Sequence, residues 1–357
     1  MNKFDSHIYA VILAGGSGTR FWPRSRQKLP KQLCRIGDQS DSMIEVTLSR
    51  LEGLIPPERR IIVTHVDQAE ATKKIVGSRA KTVIAEAAAK DTGHALALAA
   101  IHLDHIHKGD KSPVMISLHA DAVIKDLDAF QTALNKSVAL AETGSITLMG
   151  IIPTYAETGY GYIEQGKPIA GIDGAFEVQS FREKPDAKTA EEYFASKNFS
   201  WNSGIFTWKI ATILQEFEKH MKPSYTAIKE AYGDDSALKE AYLKLPKISI
   251  DQGILEQCTG IKMVAADIGW QDVGSWDAMP RVFETDDKGN YSQGPHLLLD
   301  TKNSVIDTDG PYIAALGIED MVVVASNGAI LVCPKDRSQD IKKVVELIKS
   351  SGRNDLL

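Results

Sequence analysis

The stretch YAVILAGG, residues 9–16, is a short, continuously apolar run that ends in paired glycines. That is the pattern of a strand buried on both faces, as in a parallel sheet, followed by a tight turn. Downstream, DSMIEVTLSRLEGLI (residues 41–55) carries a capping box, Ser42 with Glu45 three positions on, and Ile44, Leu48, Leu51 and Ile55 at helical spacing. The alternation then repeats: strand RIIVTHV, a helix from Asp67, strand TVIAE, a helix from Asp91 through ALALAAIHL, strand VMISL, a helix from Asp126, and strand SITLMG. Strands separated by helices pair in parallel through right-handed crossovers, so the first 150 residues predict a doubly wound α/β sheet. Its ligands belong at the carboxyl ends of the strands.

After residue 150 the rhythm changes. GYGYIEQG, FEVQSFREKP and SGIFTWKI read as strands, with helices over residues 187–197 and 213–232, a region expected to build the other half of a cleft. From residue 294 short β pieces follow, ending in a helix of SQDIKKVVELIKS type, so a small β module is expected there. Two domains are expected, 1–285 and 286–357.

Composition sets the frame. The 357 residues are 43% hydrophobic and 25% charged, ordinary for a globular protein. The net charge of -6 disfavours a nucleic-acid partner unless basic residues are concentrated. Cys34, Cys258 and Cys333 lie far apart with no CxxC pairing, which suits neither a disulfide framework nor a zinc cage and fits a reducing cytoplasm. The N-terminus lacks a signal-peptide apolar run, and no apolar window reaches membrane-spanning length, so a cytoplasmic protein with no membrane partner is expected.

The first strand runs into LAGGSGTRFWPRSRQKLPKQL, residues 13–33. Gly15, Gly16 and Gly18 permit a tight turn whose N–H groups can converge on an anion. The run is no Walker A loop, lacking GK[ST], and no dinucleotide fingerprint, because Phe21 stands where the third glycine belongs. Arg20, Arg24, Arg26, Lys28 and Lys31 beside the glycines suit a compact phosphorylated ligand. Asp121, just after VMISL, sits at a strand end where such a sheet binds ligands, and Asp272 offers a second carboxylate; a Mg²⁺ ion is commonly held by one or two carboxylates plus substrate phosphates. A helix cap or a turn is the commoner fate of such aspartates. HLDHIH (residues 102–107) lacks HxxxH spacing and reads as a solvated helix end, while Trp201, Trp208, Trp270 and Trp276 read as core and cleft walls.

The glycine run, with Trp22 and Pro23 after the Thr19–Arg20 pair and PKQL beyond, resembles the signature of sugar nucleotidyltransferases, in particular the mannose-1-phosphate guanylyltransferase family. Further matches are spread along the chain: GIIPTYAETGYGYIEQG (150–166), FREKP (181–185), WNSGIFTW (201–208), SIDQGILEQ (249–257) and GWQDVGSW (269–276). The resemblance implies a Rossmann-like mixed sheet with helices on both faces and a short left-handed β-helix-like terminal module. It implies GTP and mannose 1-phosphate as partners, with GDP-mannose and pyrophosphate as products and Mg²⁺, or another divalent ion such as Mn²⁺, as cofactor. By the same resemblance Leu13, Ala14, Gly15, Gly16, Ser17, Gly18, Thr19 and Asp121 bind the nucleotide, Arg20 and Lys31 are catalytic, and Asp121 and Asp272 hold the metal. Lys184 is assigned the sugar phosphate, with Glu183 beside it; Glu157, Asn202 and the Gly159 backbone are candidate contacts to sugar hydroxyls, which need paired donors and acceptors.

Two departures stand out. EAAAKDT (residues 86–92) replaces the family's EPxxRNT, and LHADA (118–122) replaces LPADH. Both line the nucleotide side, leaving another base or sugar 1-phosphate, or an inactive regulatory homologue, as alternatives. No room remains after the last helix for the isomerase domain of longer relatives, so a single activity is expected. The sequence does not fix the oligomeric state; a terminal β module offers an edge that a second copy can cover, which makes a homodimer one option.

Overall fold

The computed structural model describes residues 4–16, 18–37 and 40–357. The first half alternates strands and helices in the expected order: β1 (Ile8–Leu13), α1 (Met43–Ser49), β2 (Arg60–His65), α2 (Ala69–Val76), β3 (Thr82–Glu86), α3 (Thr92–Ile106), β4 (Val114–His119), a short β5 (Ala122–Val123), α4 (Leu127–Glu142) and β6 (Thr147–Ile151). β1 lies between β2 and β4, parallel to both, which is why its residues are apolar on both faces. Helix starts follow their caps: Asp91 accepts from the Thr92 N–H, Asp126 from the Ala129 N–H, and Glu45 accepts from both the N–H and the hydroxyl of Ser42.

The second half contributes β7 (Gly161–Pro168), β8 (Ala175–Glu183), α5 (Ala187–Ser196), β9 (Phe199–Lys209), α6 (Ile210–His220), α7 (Lys222–Ala231), α8 (Asp235–Lys244), β10 (Lys262–Ala266), β11 (Gln271–Asp272) and α9 (Met279–Val282). The main sheet runs β3-β2-β1-β4-β9-β6-β10-β8-β7. β9 enters between β4 and β6, antiparallel to both, so the sheet is mixed and the purely parallel order read from the strand–helix rhythm is interrupted at its centre. The cause is visible in β9 itself, whose Trp201, Phe206 and Trp208 are nearly fully buried and demand cover on both faces. The single helix expected over 213–232 is two: Met221 leaves helical geometry and Pro223 opens the next helix. Helix α8 had no counterpart in the sequence reading.

The C-terminal region holds β12 (Tyr291–Gln293), β13 (His296–Leu299), β14 (Val305–Thr308), β15 (Ile313–Leu316), β16 (Met321–Ser326), β17 (Ala329–Pro334) and α10 (Ile341–Ser350). β12, β14 and β16 stack in parallel on one face and β13 and β15 on another, the winding of a β-helix, before β17 turns back antiparallel on β16. Val305, Val322 and Val324 point inward and share a core with Phe21, Trp22, Trp276 and Ile341. The coil therefore packs against the loop that follows the glycines.

Candidate active site

A cleft of about 500 Å³ opens at the carboxyl ends of β1 to β4, lined by Leu13, Ala14, Gly15 and Gly16 on one side and Glu86, Asp91 and Thr92 on another, with His119 and Asp121 at its inner end. The glycine turn is held from below. The Gln32 amide donates to the carbonyls of Ala14 (2.6 Å) and Gly16 (3.0 Å), and the Ser25 hydroxyl donates to the Gly18 carbonyl (2.6 Å). Among the described residues the N–H groups of Gly15 and Gly16 meet no intramolecular acceptor, so they are free for an anion. Gly18 has φ of 59°, and a Cβ there would lie 2.6 Å from the Lys31 backbone nitrogen, so only glycine fits. Thr19 opens a single helical turn with Arg20; Ser17 lies outside the described residues.

The basic run divides its work. Arg24 pairs with Asp307 and, at 2.8 Å, with Asp309 of the β coil. Arg26 donates to the Leu356 carbonyl (2.6 Å), as does the Trp22 indole (2.8 Å). These residues dock the C-terminal region, so the sequence reading of the whole run as phosphate-facing is corrected for Arg24 and Arg26. Arg20 is exposed and makes no hydrogen bond or salt bridge among the described residues, acting only at longer range on Asp272. Lys31 is 4% exposed, and its ammonium donates to the carbonyls of Val273 (2.6 Å) and Asp121 (3.1 Å) while pairing with the Asp121 carboxylate at 3.1 Å. Three donors with three acceptors make it a clamp between the end of β4 and β11 rather than a free point charge.

That clamp brings the two aspartates into one electrostatic unit, with β11 pairing Asp272 opposite Ala122. Burial pushes the Asp121 carboxyl up, but Lys31 and His119 outweigh it and hold it below its ordinary value. Asp272 is raised, by burial first and by the Asp121 charge, with Lys31, His119 and Arg20 opposing. Two carboxylates competing for too little positive charge make an oxygen-donor site suited to a hard divalent cation.

The sugar-side candidates lie on β7 to β9 and their loops. Glu157 accepts from the Gly159 N–H (2.8 Å), and Lys184 pairs with its neighbour Glu183 at 3.0 Å, both well exposed. Lys184 has φ of 47°. The Asn202 amide donates to Asp251 (2.9 Å), and burial, followed by the Glu183 charge, raises the Asp251 carboxyl to about 6. The four tryptophans are all buried. His102 bonds Tyr232 and His107 bonds Tyr9, so the HLDHIH histidines serve separate contacts.

Sequence reasoning assigned no role to Glu86 or Gln32. Glu86, at the end of β3 and 7% exposed, sets its carboxyl against Gly15 and accepts from the Tyr242 hydroxyl (3.2 Å). Burial lifts it to about 8, with Tyr242 opposing and Asp91 adding. The signal was the EAAAKDT departure, which drew attention to the missing proline rather than to the glutamate. His119 takes the place of the family proline and faces the Gly204 turn, where a Cβ would collide with its ring at 2.6 Å.

Comparison with known proteins identifies the family. Residues 9–289 match the nucleotidyl transferase family, and residues 294–348 match the mannoseP isomerase/GMP-like beta-helix domain. The chain is 36% identical over 365 residues to mannose-1-phosphate guanylyltransferase of Escherichia coli K12, covering 98% of this chain and 75% of that one. The chain belongs to the mannose-1-phosphate guanylyltransferase family. It is 35% identical to the enzyme of that name from Salmonella typhimurium, with 98% and 75% covered. The crystal structure of mannose-1-phosphate geranyltransferase from Thermus thermophilus superimposes with a TM-score of 0.87 at 33% identity, covering 96% of this chain and 99% of that one. As a member of this family the chain is a nucleotidyltransferase, and none of its described helices is long and apolar enough to cross a membrane.

Proposed function

We propose that the enzyme transfers GMP from GTP to α-D-mannose 1-phosphate, giving GDP-mannose and pyrophosphate. The observation that carries this reading is the Lys31 clamp, which ties Asp121, in the wall of the cleft that holds the glycine turn, to Val273 beside Asp272. The sugar phosphate is already an anion at neutral pH, so its oxygen attacks the α-phosphorus in line, forming the new P–O bond as the bond to pyrophosphate breaks. No protein nucleophile is required, and catalysis is positioning plus charge neutralisation. The free N–H groups of Gly15 and Gly16 and the unpaired Arg20 receive the triphosphate, and Lys31 positions Asp121. Asp121 and Asp272 would hold Mg²⁺ with the substrate phosphates; when bound, that ion neutralises developing negative charge. Lys184 releases Glu183 to meet the sugar phosphate, while Glu157, Gly159 and Asn202 face its hydroxyls.

Guanine is favoured because its Watson–Crick edge offers two neighbouring donors and the Glu86 carboxyl in the cleft wall offers two acceptors once it ionises, near pH 8. Residues 1–285 form the catalytic domain in this reading and 286–357 its β module, working in the cytoplasm, consistent with three unpaired cysteines. Leu297, Leu299 and Leu316 are more than half exposed on the paired strands β13 and β15, which favours a homodimer through that face; Leu316→Asp yields a monomer in sedimentation if so.

Pyrophosphate release measured across four triphosphates and several sugar 1-phosphates, with Mg²⁺ or Mn²⁺, tests the assignment. GTP with mannose 1-phosphate is expected to lead. A different leading pair overturns the substrate assignment, and activity with none points to an inactive regulatory homologue.

A further inference from the structure

The last turn of α6 gathers three side chains that nucleotidyl transfer does not use. Glu216 and His220 stand one helical turn apart, and Cys258 reaches them from the segment that follows Asp251. Their ligand-capable atoms lie within 4.8 Å of one another, all half-buried. The Cys258 thiol donates to Glu216 Oε2 at 3.1 Å, and His220 Nε2 lies 3.2 Å from the same oxygen. Yet His220 Nε2, though close to that oxygen, is buried without a hydrogen bond, a nitrogen aimed at the cluster with its lone pair or proton unsatisfied. We propose that Glu216, His220 and Cys258 form a second metal site, one that takes Zn²⁺ or a similar divalent transition ion.

The spacing suits it. Zinc bonds of about 2.0 Å to O and N and about 2.3 Å to S, in a tetrahedron, place ligand atoms roughly 3.3 to 3.6 Å apart, a few tenths of an ångström from the two separations found here. Sulfur and imidazole select a borderline-soft ion, whereas the all-oxygen pair Asp121 and Asp272 suits a hard one, so the two sites do not compete for the same metal. Cys258 also lines a separate cleft of about 600 Å³ between β8 and residues 255–261, which gives an ion a route in and leaves a coordination position for water. Without an ion, burial, then the Glu216 hydrogen bond and charge, hold the sulfur as a thiol, its pKa lifted to about 12. Binding exchanges the thiol proton for the metal–sulfur bond and releases the proton to solvent. The local competitor is Lys219, whose ammonium lies 3.7 Å from Glu216.

Cobalt(II) is the probe, added to the full chain. The expected result is a near-ultraviolet thiolate-to-cobalt band that saturates at a single ion per chain and is displaced by Zn²⁺. Cys258→Ser removes the band, and His220→Ala weakens apparent affinity by at least about tenfold, since even outer-shell changes cost that much. Both variants keep wild-type pyrophosphate release in Mg²⁺, which shows that they fold. Absence of the thiolate band in the wild type with excess cobalt overturns the site. So does a band that persists unchanged in Cys258→Ser, because the sulfur is then Cys34 or Cys333.

Discussion

The nucleotide-side and sugar-side residues are held differently. On the nucleotide side three supporting groups are buried and tied to other parts of the chain: Lys31 ties residue 121 to residue 273, Gln32 holds the glycine turn, and Glu86 rests against Gly15. At the sugar end Lys184 pairs with the adjacent Glu183, and Glu157 with the Gly159 N–H two residues on. Exposed ion pairs are worth about 0 to 1 kcal/mol, so a phosphate displaces Glu183 from Lys184 at little cost. On the proposed reading the triphosphate thus meets a preformed site, whereas the sugar phosphate rearranges its own. Variants should therefore be more damaging at the first end than at the second.

The largest effect is expected for Asp121→Asn, which removes one of the two carboxylates proposed to hold the metal and leaves the Lys31 ammonium without its nearest counter-charge. Pyrophosphate release should fall on the order of 10³-fold with the thermal transition retained, in line with losses for a single preorganised electrostatic contact. Chelation of divalent ions should do the same to the wild type, and near-normal turnover in either case breaks the metal assignment. Next comes Arg24→Ala, a test of what supports the nucleotide end from behind. Asp307 is 2% exposed and is already lifted to about 6 by burial, with Arg24 opposing. Removing the guanidinium strands that carboxylate, a loss of about 3 kcal/mol in urea unfolding. The loss should grow from pH 5 to pH 8 as the stranded Asp307 ionises.

The contrast also explains what the sequence could reveal. Five of the first six strands, all but the two-residue β5, and their helices were legible because burial on both faces leaves continuous apolar runs and α1, α3 and α4 announce a serine or aspartate cap. The place of β9 was not, since its neighbours β6 and β4 come from segments about fifty and about ninety residues earlier and no local signal names them. The same limit applied to side chains. Gly18 was readable from its turn, but the division of the basic run, with Arg24 and Arg26 facing the C-terminal coil and Lys31 facing Asp121, depends on partners some 90 to 330 positions away. Glu86 was hidden for a related reason: its meaning comes from burial beside Gly15, not from its neighbours in the chain.

Glu86→Gln sharpens the nucleotide end. The amide keeps one acceptor but sets an NH₂ where guanine presents a second donor, so above pH 8, where Glu86 is ionised, preference for GTP over ATP should drop by about 10²-fold in kcat/KM. The pH dependence has a definite sign. Glu86 ionises near 8 in the folded protein against about 4.5 unfolded, so the folded state holds the extra proton between those values. Its contribution to stability is therefore present below pH 4.5 and is lost as pH rises toward 8, and Glu86→Gln should flatten that share of the fall in melting temperature. If guanine binds the carboxylate, KM for GTP should fall as pH approaches 8 and then level off, a trend absent from the glutamine variant.

The smallest effect is expected at the sugar end. Lys184 is exposed, its partner is the residue beside it, and its ammonium is a flexible point charge instead of a fixed fork. Lys184→Ala should raise KM for the sugar phosphate about tenfold, with a smaller change in kcat and none in KM for GTP, as expected when a contact is made equally in ground and transition states. The melting temperature should not change, because the exposed pair adds little to the fold. A loss in kcat as large as that of Asp121→Asn would mean that Lys184 is already aligned with the reacting phosphate before it arrives. The difference between a preformed nucleotide end and an adaptable sugar end would then disappear.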